Sequence, residues 1–137
     1  MTQEEKDLLL KDICARLPYG VKVQYYDNET KKLEAGAIVS CTIPIDETNQ
    51  KYPTFITRRD LLIIQGNTIE DIKPYLFPLS SMTDEQEEEY NNLNCWELGC
   101  FPHTEDALDY LIANHFDYRG LIEMGIAIDA TGLDVYE

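Results

Sequence analysis

Across Leu17-Pro18-Tyr19-Gly20 the spacing of apolar residues changes, and that change narrows the folds open to this chain more than any other feature. Before it, Leu9, Leu10, Ile13, Cys14 and Leu17 recur with helical spacing along one face. Thr2 and Glu5 stand where a capping box would open such a helix. Pro18 and Gly20 close it, because proline cannot continue the ladder and glycine permits the turn. After the break, Val21, Val23 and Tyr25 alternate with Lys22 and Gln24, as in a strand with one wet face. Asp27-Asn28-Glu29-Thr30 supplies turn chemistry, and Ala37, Val39, Cys41 and Ile43 alternate again, which predicts an antiparallel hairpin. Phe55-Ile56-Thr57 and Leu61 to Gln65 add one or two strands bounded by Gly66-Asn67.

Beyond Gly66 the pattern turns helical. Thr68 opens a short turn over 69–73 that Pro74 limits through its restriction on the residue before it. Thr83 and Gln86 form a second capping box for a helix reaching about Leu93. Thr104 caps a third, with Glu105 and Asp106 in its first turn and Leu108, Leu111, Ile112 and His115 on its inward face. Asp117 is placed to cap a last short helix ending at Gly125, Ile126-Ala127-Ile128 to form a final strand, and the remainder to form a tail. Nothing in the composition marks a second domain, so residues 1–137 read as one. A helix, then strands, then helices predicts an α+β fold. The expected architecture is a small, mainly antiparallel sheet of three or four strands, covered by the N-terminal helix and the C-terminal helices.

Charge is distributed unevenly along this frame. From Pro74 onward fourteen carboxylates face one cation, Arg119, whereas residues 1–73 carry twelve carboxylates and ten cations. The net charge of −15 therefore belongs mainly to the C-terminal half. Such a surface repels nucleic acid and anionic membrane and attracts basic proteins. Apolar runs such as Leu61-Leu62-Ile63-Ile64 are far shorter than the roughly 20 residues of a membrane span. The acidic start Met-Thr-Gln-Glu-Glu is unlike a signal peptide, so a cytoplasmic location is expected, with reduced thiols at Cys14, Cys41, Cys95 and Cys100. The expected state is a monomer or a weak homo-oligomer.

The segments Ile72-Lys73-Pro74-Tyr75-Leu76-Phe77-Pro78-Leu79-Ser80-Ser81-Met82 and Asn114-His115-Phe116-Asp117-Tyr118-Arg119-Gly120-Leu121-Ile122, together with Leu8 to Gly20, carry a resemblance. The chain resembles a family of small uncharacterised proteins encoded by Bacteroides-type gut bacteria and their mobile elements or phages. The middle, from Tyr26 to Asn67, departs most from that pattern. The resemblance implies a mobile-element setting and no particular activity or site.

Two constellations carry chemical expectations. The first is acidic: Asp84, Glu85, Glu87, Glu88 and Glu89 open the second helix, and Glu105, Asp106 and Asp109 lie on the third. They suit a solvated helix face and equally a recognition surface for a basic protein. The leading expectation is therefore a non-catalytic accessory protein acting through its acidic half, with no cofactor. The second is the set Cys95, Cys100, His103 and His115. It suggests a small cysteine–histidine hydrolase or a zinc-dependent protein, although the two histidines lie outside the usual zinc-ligand spacing. Arg119, alone in an acidic half, is expected to brace Asp117. Phosphate-binding glycine loops and serine-nucleophile motifs do not occur.

Overall fold

A computed structural model describes residues 1–42, 54–58, 64–93 and 104–136. The first helix, α1 (Gln3–Arg16), opens with the expected capping box: the Glu5 N–H donates to Thr2 Oγ1, and the Thr2 N–H donates to Glu5 Oε2. It closes in a 3-10 turn at Leu17–Tyr19, where Gly20 takes a left-handed conformation. Strands β1 (Lys22–Asp27) and β2 (Lys32–Thr42) form the antiparallel hairpin. Asp27 holds their turn, its Oδ1 accepting from the Glu29 and Thr30 N–H groups.

β3 (Thr54–Arg58) and β4 (Ile64–Thr68) extend the sheet on the far side of β2. Gly66 and Asn67 lie within β4 rather than at its end, and the buried Asn67 amide donates to Thr57 Oγ1 at 2.8 Å. Leu61 to Ile63 lie outside the described residues. The expected short turn is a 3-10 turn at Ile69–Asp71, and it leads into β5 (Ile72–Pro78), a strand the sequence did not predict.

After β5 come α2 (Asp84–Leu93) and α3 (Thr104–Ala113), then two two-residue strands, β6 (Phe116–Asp117) and β7 (Ile128–Asp129). The expected capping box of α2 is present between Thr83 and Gln86. The sheet runs β4-β3-β2-β1-β5-β6, with β7 also pairing β5, so seven strands replace the expected three or four. The pairs along β1 to β5 are antiparallel; β6 and β7 join β5 in parallel. The α+β class stands. Among the described residues no helix is long and apolar enough to cross a membrane.

One face of the sheet is buried. Val21, Val23 and Tyr25 point into it as their alternation predicted, alongside Leu9 and Ile13 of α1, Phe55, Ile72, Leu76 and Leu121. The alternation on β2 is different from the expected one. Gly36, opposite the buried Val23, and Ile38 face inward while Val39 is exposed, the opposite phase to the expected one, and a bulge between Ile38 and Ser40 then inserts one extra residue. The bulge resets the period, so Cys41 lies opposite Phe55 and packs against the core. α1 meets the start of β5 through its packing on the 3-10 turn and a Lys6–Glu70 ion pair.

The third helix also departs from its expected face. Ala107, Leu111 and Ile112 are buried, whereas Leu108 is 39% exposed. Residues 121–125 form turns in place of the expected last helix. Asp117 still acts as a cap there, accepting from the Leu121 and Ile122 N–H groups, both at 2.9 Å.

Candidate functional site

The two helices after β5 gather the acidic residues. Asp84, Glu85, Glu87, Glu88 and Glu89 on α2 and Glu105, Asp106 and Asp109 on α3 are all exposed. The helices pack on each other, and the Tyr110 hydroxyl donates to Glu89 Oε2 at 3.0 Å across them. None of α2's side chains is buried. Among the described residues, none of these eight carboxylates forms an ion pair.

Arg119 is committed elsewhere. Its Nε donates to Asp12 Oδ1 at 3.2 Å, so its partner is on α1 and not the expected Asp117, whose oxygens are taken by backbone N–H groups. Asp12 also receives Arg16 through Nε at 2.8 Å and Nη2 at 3.2 Å, with both residues of this pair fully buried. Arg16 in turn donates to the Ile112 carbonyl at 3.4 Å and to the Phe116 carbonyl at 2.5 Å. A guanidinium thus meets a carbonyl in the last turn of α3, where the helix dipole favours a cation, and a second carbonyl in β6 just beyond it. The Tyr118 ring lies against both arginines, 4.6 Å from Arg119 Cζ and 5.8 Å from Arg16 Cζ.

This network was not anticipated, although its signal is present. Leu9, Asp12, Ile13 and Arg16 follow the i, i+3, i+4, i+7 spacing of a buried stripe, two of whose members are charged.

Beside the network opens a cleft of about 420 Å³, lined among others by Phe77, Gln86, Asn114, His115, Phe116 and Tyr136. His115 ends α3 in a left-handed conformation, φ 61°, at a point where glycine or asparagine commonly sits. Its backbone holds it there: the N–H donates to the Ile112 carbonyl, and the carbonyl accepts from Phe77 of β5. Tyr136, expected to lie in a tail, stacks on the imidazole at 4.1 Å. The Tyr136 hydroxyl donates to the Tyr75 carbonyl at 2.7 Å and accepts from the Lys22 N–H at 3.1 Å, pinning the C-terminal segment to β1 and β5. Burial pushes that hydroxyl up to about 12, with the Lys22 backbone opposing the shift, so it stays protonated.

His115 is 7% exposed, and its Nδ1 is buried without a hydrogen-bond partner among the described residues. Burial first, and the Arg16 charge second, lower its pKa to about 4, against a smaller opposing pull from the Tyr19 backbone. The ring is neutral near pH 7, so the cleft offers stacking and hydrogen bonding from an uncharged imidazole. A lowered folded-state pKa means that the unfolded chain binds the proton first. Stability due to this residue is therefore present above the unfolded value of about 6.5 and is lost as pH falls toward about 4. Urea denaturation at pH 7 and pH 4.5 is expected to show a loss on the order of 2 kcal/mol larger in wild type than in His115→Asn, whose asparagine tolerates the backbone conformation. Equal losses in the two proteins would contradict this account.

Cys95, Cys100 and His103 lie outside the described residues, so the hydrolase and zinc expectations rest here on His115 alone. Among the described residues no group of three or more histidine, cysteine or acidic side chains could hold a metal ion. Cys14 and Cys41 are free thiols with their sulfurs 4.0 Å apart. Burial, then the neighbouring Cys14, push the Cys41 thiol up to about 12, which leaves it a poor nucleophile. No family model, curated protein or solved structure matches the chain.

Proposed function

We propose that this protein is a non-catalytic accessory protein that binds a basic protein through the paired helices α2 and α3. The observation that carries the reading is the exposure of eight carboxylates on two packed helices, none of which forms an ion pair among the described residues. The lone cation of this half, Arg119, is drawn inward to Asp12 and so is not spent on that field. Negative potential of this kind steers a cationic partner and discriminates against anionic ones. A helix with no fully buried side chain that keeps a full capping box fits a role at the surface better than one in the core. The setting suggested by the resemblance is a mobile genetic element, where the partner would be a host or element protein with a basic surface.

The test combines a salt gradient with charge removal. Immobilised protein is expected to retain a basic protein from the native host at low salt and release it as ionic strength rises. The triple variant Glu85→Gln, Glu88→Gln, Glu89→Gln is expected to weaken that binding by roughly tenfold or more. Its thermal midpoint should remain near that of wild type, because these side chains are exposed and form no ion pairs among the described residues. Binding that ignores both salt and the triple substitution would overturn the proposal.

A further inference from the structure

We infer that the cleft between Tyr136 and the C-terminal end of α3 is a binding site for a small uncharged heteroaromatic molecule, the size of a nucleobase or nucleoside. This inference is independent of the acidic face. Its argument begins with what the lining has left to offer. Ser81 Oγ donates to the Pro78 carbonyl and keeps its lone pairs. Gln86 Oε1 is used by the Thr83 N–H, which leaves the amide N–H groups. Asn114 Nδ2 donates to the Tyr110 carbonyl, which leaves Oδ1. Each polar side chain has one half fixed by the fold and the other half uncommitted by those bonds. A mixed set of donors and acceptors held in fixed positions recognises the edge of a heterocycle.

The apolar part of the lining supplies the faces. Phe77 lies 5.9 Å from Tyr136 and 6.3 Å from Phe116, and His115 stacks on Tyr136, so the four lining rings form one cluster. Flat aromatic surfaces favour a flat ligand. Charge decides between ligand classes. Among the described lining residues none carries a formal charge near neutral pH, so a charged ligand would be desolvated without a counter-ion. Anions are further disfavoured by Glu85 and Glu87, which flank Gln86 on α2.

The decisive feature is His115. A non-glycine residue held at positive φ costs local free energy, and its buried Nδ1 finds no partner among the described residues. The second cost is relieved if a small shift of the ring brings that nitrogen to a donor on a ligand in the cleft. The cleft's size falls within the range of small-molecule sites, about 300–1,000 Å³.

Saturation-transfer NMR on the intact protein tests this with adenosine, cytidine and nicotinamide as uncharged probes and AMP, CMP and nicotinate as their anionic counterparts. At least one uncharged probe is expected to show transfer at millimolar concentration or below, and its anionic counterpart to bind about tenfold more weakly or not at all. His115→Asn, which keeps the left-handed turn, and Thr131→Trp, which fills the exposed lip of the cleft, are each expected to abolish the transfer. Circular dichroism reports whether each variant is folded, and the exposed Thr131 keeps the second variant independent of core packing. Absence of transfer with all three uncharged probes would overturn the inference. So would transfer that persists in both folded variants, or anions binding as well as their neutral counterparts.

Discussion

Replacing Asp12 with alanine is expected to destabilise the protein by about 3–5 kcal/mol in urea denaturation, because it leaves a fully buried guanidinium without its counter-ion. Two arginines lose a partner at once, since Asp12 receives both Arg16 and Arg119. Arg16 would keep its bonds to the Ile112 and Phe116 carbonyls, but neutral acceptors do not balance a buried charge. The double variant Asp12→Leu, Arg16→Met separates charge from connectivity. Removing both ions avoids the fully buried unpaired charge and leaves the partly exposed Arg119 without its carboxylate, and it strips one donor each from the Ile112 and Phe116 carbonyls. That variant is expected to recover most of the loss and to remain roughly 1–3 kcal/mol below wild type. If Asp12→Ala costs less than about 1 kcal/mol, the network is not holding α1 to the end of α3 as described.

The second large effect is expected at Gly36. A β-carbon there would stand 2.8 Å from Cε1 of Tyr25 and 2.9 Å from the Arg58 carbonyl oxygen. Neither neighbour yields readily: Tyr25 is enclosed in the core, and the carbonyl belongs to the backbone of β3. Gly36 pairs with Val23, and Tyr25 lies diagonally across the same face, so the ring occupies the space a side chain would need. Gly36→Ala gains about 0.5–1 kcal/mol from reduced unfolded-state freedom. Overpacking against a closed neighbour costs more, about 1–3 kcal/mol, and the net result is expected to be a lower urea midpoint. A midpoint equal to or above that of wild type would show that β2 and β3 can separate to admit the methyl group.

The parts of the fold legible in the sequence were those governed by local rules. Thr2 with Glu5 and Thr83 with Gln86 are capping boxes whose partners lie three residues apart, and both are present. Val21, Val23 and Tyr25 face inward because alternation on a single strand is also local. What escaped the reading depended on distant pairing. β5 carries Pro74 and Pro78, which argue against a strand, yet it pairs with β1, β6 and β7. Pro74 stands opposite Val23, a placement that becomes visible only once β1 is alongside. Val39 shares the apolar character of Ile38, so its own chemistry gives no sign that pairing with β1 puts Ile38 inward and Val39 outward.

The candidate sites divide in the same way. The acidic helices follow from composition and capping. The buried Asp12–Arg16–Arg119 network joins residues more than one hundred positions apart, and the stripe that contains its first two members reads as an apolar face with two exceptions. Tyr136 gave no sequence signal at all, because its stack on His115 requires the C-terminal segment to fold back over β1 and β5.

Since α2 contributes no buried side chain, the identity of its outer residues is almost uncoupled from the energy that holds the sheet together. Mutations can accumulate along that helix with little thermodynamic penalty, provided its caps and its seam with α3 survive. Such a segment can drift, or be redesigned, toward a new binding preference while the rest of the molecule stays unchanged.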